Sequence, residues 1–300
     1  HALKAQNTER DSLWSILNNT SIEDSARINA ISELAWSGYL FSRPDSAFIC
    51  ADLGIILAKK VGYKNKEAAL LNTQGASYWV RGSHANALHY FNASFQIYQS
   101  TNDLANSASC LNNMGIIYRS QGSNLRALKF LLQSLNIRKE LNDSSGLAGS
   151  MNNVGLIYQD QGNYDNAIEY YKSSLAIREL MNDSIKMAGS LTNIGLILQV
   201  QEDYESALSY FEKSLIINRQ FNNKKEEANT LVNMALVFVE QDKNEKALDF
   251  LKESKSICLE IRDSNGLANV QTSIGAIYLS QEKLPEAMSK CKIGLEISDK

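Results

Sequence analysis

Asn113, Asn153, Asn193 and Asn233 stand forty residues apart in a 300-residue chain, each followed three positions later by Ile116, Leu156, Leu196 or Leu236. A side-chain amide donates and accepts at once. A row of amides therefore matches the alternating N–H and C=O groups of an extended peptide, with the aliphatic residues as apolar contacts between rungs. The same amides could instead bond backbone groups of the adjacent hairpin, since a buried amide needs partners in any role. The spacing leaves both readings open.

Other chemistry is sparse. The three histidines are His1, His84 and His89, and the last two are five apart, so they do not share a helix face as metal ligands at i and i+4 would. Cys50, Cys110, Cys258 and Cys291 include no close pair. They read as buried small apolar residues rather than zinc ligands or disulfides. No phosphate loop, dinucleotide fingerprint, nucleophile elbow or HExxH run occurs. Carboxylates such as Glu226 and Glu227 read as solvated. The expectation is no catalytic residue, no metal and no cofactor. Lys and Arg number 30 against 33 Asp and Glu, for a net charge of -3, without the basic excess of a duplex binder. No apolar run approaches the roughly 18 residues of a spanning helix, and the opening "HALKAQNTERDSLW" lacks a signal peptide's apolar core. Nucleic acid and direct membrane insertion are excluded as expectations. The compartment stays open between the cytoplasm and, for the sensor part of a membrane protein, the periplasm.

The ladder belongs to a longer repetition that must position it. Ala35, Gly75, Gly115, Gly155, Gly195, Ala235 and Gly275 recur every forty residues, and the residue twelve further on is alanine each time, from Ala47 to Ala287. Tyr78, Tyr118, Tyr158, Leu198, Phe238 and Tyr278 follow the marker by three. Leu111, Met114, Gly115 and Tyr118 form the i, i+3, i+4, i+7 stripe of one helix, A. Gln121-Gly122 supplies a left-handed cap, and Ala127, Leu128, Leu131, Leu132 and Leu135 mark a second helix, B. The pairs Gly115 with Ala127 and Gly195 with Ala207 predict a close approach of A and B. Asn142-Asp143 and Asn182-Asp183 should end B and cap the next A, and Ser21 with Asp24 reads as the start of the first A.

A hairpin of this size cannot bury both its faces, whereas stacked copies can. The expected division is an N-terminal capping helix over 1–27 and an array over 28–300, with units 28–67, 68–107, 108–147, 148–187, 188–227, 228–267 and a truncated 268–300. The last unit stops mid-helix at "CKIGLEISDK", with Ile293, Leu295 and Ile297 read as one apolar face. That end is expected to continue or to pack on another copy.

The stretch "LNNMGIIYRSQGSNLRALKFLLQSL" resembles the tetratricopeptide repeat at Leu111, Gly115, Tyr118, Gly122, Ala127 and Leu131. The forty-residue period exceeds the family's roughly 34. With its doubled asparagines it is similar to the subclass in kinesin light chains and bacterial signalling arrays. The resemblance implies an all-α, right-handed α-α superhelix of about seven tandem hairpins, with helix A lining a concave groove that binds a protein or peptide segment. The groove residues it implies are Asn72, Trp79, Asn112, Asn113, Ile116, Arg119, Asn152, Asn153, Leu156, Gln159, Asn193, Leu196, Gln199, Asn233 and Leu236. Of thirty-six groove positions only Arg119, Asp160 and Glu240 are charged, against about seven or eight expected from 21% charged residues. The cations with which related arrays grip a terminal carboxylate are absent from Asn112, Ile116, Asn152, Leu156, Thr192 and Leu196. The expected function is a non-enzymatic binding scaffold in the sensory or interaction region of a larger bacterial signalling protein. The alternative is self-assembly, as a homodimer through the C-terminal end.

Overall fold

Seventeen residues of helix and three of connector alternate through most of the chain. A computed structural model describes residues 13–16, 18–19 and 21–298. Most of the expected capping helix over 1–27 lies outside them, although residues 13–16 are helical. The helices are α1 (Asp24–Glu33), which runs on into a π-helical turn (Leu34–Tyr39), α2 (Pro44–Lys60), α3 (Lys64–Val80), α4 (His84–Ser100), α5 (Leu104–Ser120), α6 (Asn124–Glu140), α7 (Ser144–Asp160), α8 (Tyr164–Leu180), α9 (Ser184–Val200), α10 (Tyr204–Gln220), α11 (Lys224–Glu240), α12 (Asn244–Ile261), α13 (Ser264–Ser280) and α14 (Leu284–Ser298). No strand occurs among the described residues. The helices group into two units, residues 1–161 and 162–300. The first holds the hairpins α1/α2, α3/α4 and α5/α6 with α7. The second holds α8 with the hairpins α9/α10, α11/α12 and α13/α14.

Every connector after α2 turns on one left-handed residue, whereas the one at residues 40–43 has none. Gly122 has φ 71°, and Asn142 and Asn182 have φ 53°, as their types foretell. Asp143 then accepts from the Gly146 amide at 2.9 Å and Asp183 from the Lys186 amide at 3.4 Å, capping the following A helices. Later turns within hairpins use Glu202, Asp242 and Glu282, with φ 62°, 58° and 59°. Ser21 caps nothing. Its hydroxyl donates to Asn19, and α1 begins behind Glu23 without a side-chain cap.

Packing explains the small residues, with one correction. The close partner of each helix A glycine lies sixteen residues on, not twelve. A Cβ at Gly75 would stand 2.8 Å from the Phe91 ring, at Gly115 2.7 Å from Leu131, and at Gly195 2.6 Å from Phe211. The alanine contributes backbone, with the Ala127 carbonyl 3.3 Å from the Gly115 position. The recurrent aromatic stacks on helix B: Tyr118 on Phe130 at 5.3 Å and Phe238 on Phe250 at 5.4 Å between centroids. A buried serine closes each of these hairpins. Ser94, Ser134, Ser214 and Ser254 donate to the carbonyls of Ala68, Ala108, Ala188 and Ala228 at 2.7, 2.8, 3.1 and 2.9 Å.

Three further expectations fail on burial. Glu227 is buried, not solvated, because its repeat position faces inward; Arg219 and Lys224 neutralise it at 3.1 and 3.3 Å. Cys291 is exposed, while the other three cysteines are buried. Ile293, Leu295 and Ile297 do not form one face, since residues two apart on a helix diverge by about 200°; Leu295 is exposed and the two isoleucines are half-buried.

Two substitutions test this frame. Gly195→Ala should lower the unfolding free energy by about 1–2 kcal/mol, because overpacking against Phe211 exceeds the gain in helix propensity. Glu202→Gly should raise it by about 1 kcal/mol by removing left-handed strain. Urea midpoints followed by circular dichroism measure both.

Candidate protein-interaction site

In the first unit the inner helices α1, α3 and α5 build a cavity. The π-helical turn widens the end of α1, and the amides of Ser42 and Arg43 both donate to the Tyr39 carbonyl, at 3.1 and 2.7 Å. The Tyr39 hydroxyl accepts from Trp14 Nε1 at 2.8 Å, which fixes the turn from outside. Trp36, Leu40 and Phe41 thereby form one wall. Ala76, Trp79 and Val80 of α3 form a second, Asn113, Ile116 and Ile117 of α5 a third, and Phe91 closes it from α4, around a volume of about 90 Å³. Phe41 is 75% exposed, Trp36 46% and Trp79 41%. Large aromatic side chains are thus left open together around an apolar cavity.

The asparagines are bonded to one another. Asn113 Nδ2 donates to Asn72 Oδ1 at 3.3 Å, and Asn153 Nδ2 to Asn112 Oδ1 at 2.9 Å. Each rung thus ties one helix A to the next. Beyond them Arg119 and Asp160 form a two-pronged ion pair at 2.6 and 3.0 Å. Two of the groove's three charges are therefore spent on each other. Asn152, Leu156 and Gln159 lie half-buried on α7.

In the second unit Asn193 and Leu196 are half-buried on α9, and Gln199 Nε2 donates to Glu240 Oε1 at 3.0 Å. Leu236 is 38% exposed. Among the described residues Asn233 has no cross-helix partner of the kind Asn113 and Asn153 have, because Thr192 replaces the asparagine. The Thr192 hydroxyl lies 3.0 Å from the Ala188 carbonyl and 2.9 Å from Ser214 Oγ. Asn233 instead lines a cavity of about 160 Å³ between α11 and α13.

Nothing in these faces favours covalent chemistry. Burial pushes the Cys110 thiol up to about 11 and raises those of Cys50 and Cys258, so all three stay protonated. His84 opens α4 and His89 lies further along it. Among the described residues no three His, Cys, Asp or Glu side chains group as a metal site, and no helix is long and apolar enough to cross a membrane.

The tetratricopeptide-repeat family model matches residues 66–140, 146–220, 186–260 and 226–290. The chain belongs to the tetratricopeptide-repeat family. A comparison with curated protein sequences gives no match. Among solved structures the repeats resemble the apo form of RapI, with 18% identity, a TM-score of 0.72, and coverage of 91% of this chain and 97% of that one. A Rap protein complexed with competence and sporulation factor is similar at 11% identity and TM-score 0.63, covering 99% and 98%. The apo quorum sensor NprR from B. thuringiensis follows at 12% and 0.59, covering 99% and 100%. At these identities the likeness is one of fold.

Trp79, Asn113 and Ile116 are thus brought together in one cavity, while Asn233 lines another. The sequence reading missed Trp36, Leu40 and Phe41. Trp36 occupies the repeat position of Ile116, so carrying the register back one more unit would have found it. The wide turn that aims Leu40 and Phe41 has no sequence signature.

Asn153→Ala should lower stability by about 1 kcal/mol, because it strands the half-buried Asn112 acceptor. A double-mutant cycle with Asn112→Ala, read from urea midpoints, should give a coupling of at least about 0.5 kcal/mol.

Proposed function

We propose that the chain is a non-enzymatic scaffold that binds a protein or peptide segment on the inner faces of its A helices. The observation that carries this is the open aromatic cavity of Trp36, Phe41 and Trp79, with Asn113 at its wall. An apolar side chain of the partner seats there, and the main chain beside it meets the amide-rich, nearly neutral surface of Asn112, Asn113, Asn152 and Asn153. In the first unit Ile116 and Leu156 give apolar contact beside it, and in the second unit, taken by itself, Leu196 and Leu236 offer a surface of the same kind. The Asn72–Asn113 and Asn112–Asn153 bonds hold adjacent hairpins in register and leave carbonyl and amide capacity over for a ligand. The array over 28–300 serves, in this reading, as the sensory or interaction region of a larger bacterial signalling protein. The complex of a similar Rap protein with competence and sporulation factor supports partner binding by this fold. A second reading, self-assembly, has the exposure of Met288 (75%) and Leu295 (66%) on α14 in its favour.

Selection from a random heptapeptide display library provides the test. Enriched peptides should share a large apolar residue. Trp79→Ala should weaken them by about 2 kcal/mol, roughly thirtyfold in Kd, without moving the thermal midpoint. Absence of enrichment, or equal binding by Trp79→Ala and Trp36→Ala, overturns the reading. Light scattering of Leu295→Glu decides the second.

A further inference from the structure

Three repeats, 120 residues, separate two versions of the same seat. In the first, Arg138 rises from helix B between α5 and α7. Its Nε donates to Ser134 Oγ at 3.2 Å, Nη1 pairs with Asp143 Oδ2 at 3.0 Å, and Nη2 donates to Ser109 Oγ at 3.2 Å. Gly146 makes room, since any Cβ there would fall on the guanidinium. In the second version these positions are Ser254, Asp263, Asn229 and Gly266, each able to play the same part, but Cys258 replaces the arginine. What the arginine would fill is a cavity of about 160 Å³, lined by the polar Asn229, Asn233, Ser254 and Asn269 together with Val232, Cys258 and Gly266. The intervening seats are filled from below. Arg178 Nη1 donates to Ser190 Oγ at 2.7 Å, and Asn218 Nδ2 to Ser214 Oγ at 3.3 Å.

We propose that this cavity binds a guanidinium group entering from the inner face, where Asn269 is exposed. Ser254 Oγ and Asn229 Oδ1 accept from it, and Asp263 is its counter-ion. Asp263 Oδ1 is committed to the Gly266 amide at 3.0 Å. Its Oδ2 stands 2.7 Å from where a Gly266 Cβ would be, at the place where Asp143 meets Arg138. Asp143 has its arginine; among the described residues Asp263 has no cationic partner. A planar fork of donors satisfies acceptors spread around a cavity, whereas an ammonium is a compact point charge and does not. Free guanidino compounds and an arginine side chain of a partner share this chemistry.

The test uses the full chain, ¹⁵N-labelled, with the side-chain amide signals of Asn233 and Asn269 followed during titration. Ethylguanidine, kept well below denaturing concentrations, should shift them saturably and propylammonium should not. N-acetyl-arginine methylamide separates the sources. Tighter binding than ethylguanidine assigns the seat to an arginine of a polypeptide, and equal binding to a free guanidino compound. Asp263→Asn keeps the cap and should weaken ethylguanidine about tenfold through loss of a charged hydrogen bond. Cys258→Arg should fill the seat itself, abolish binding and raise the thermal midpoint. No saturable shift in the natural chain, equal shifts from propylammonium, or full binding by Cys258→Arg overturns the proposal. None of these outcomes depends on the aromatic cavity of the first unit.

Discussion

The left-handed residue in each connector after α2 is the constraint on which the rest depends. It reverses the chain within the short loop that joins antiparallel helices. It recurs every twenty residues from Gly62 to Glu282. With connector length fixed, a side chain at a given repeat position meets the same neighbours in every hairpin. The serine hydroxyls illustrate this, reaching the carbonyl twenty-six residues back in four separate hairpins. Register of this kind turns substitutions at one position into a controlled series. Arginine, arginine, asparagine and cysteine at residues 138, 178, 218 and 258 are four fillings of one mould.

The inner surface follows from the same register. Amides on adjacent A helices lie within reach of each other, so Asn112 and Asn153 find one another without any ligand. The two uses weighed for the ladder are not exclusive. An amide that gives one proton to its neighbour still has a second proton and two lone pairs. Where the neighbour changes, as at Thr192, the corresponding Asn233 turns to an open cavity instead. Exposed aromatic surface is concentrated at one end of the first unit, where a wider helical turn swings these residues toward a cavity.

Local rules made much of this legible. Glycine and asparagine at the turns, aspartate at the caps and the A and B stripes are decided within a few residues, and the chain states them repeatedly. Contacts between helices were harder. Ala127 and Leu131 share one face of helix B, and spacing alone does not say which of them meets Gly115; the structure chooses Leu131 because its branched end reaches further. Glu227 looks solvated beside Glu226 until its repeat position is followed inward to Arg219. The cavity around Cys258 needs two A helices and the B helix between them, a juxtaposition that no single stretch of sequence displays.

The turns within hairpins differ in one respect that bears on dynamics. Gly82 and Gly122 bear the left-handed geometry without strain, whereas Glu202, Asp242 and Glu282 carry a Cβ into it. The strained turns should open more often in the native ensemble, so amide exchange would be fastest where those hairpins fold back on themselves. The unit with the aromatic pocket is then the stiffer half, and the unit with the vacant arginine mould the more pliant.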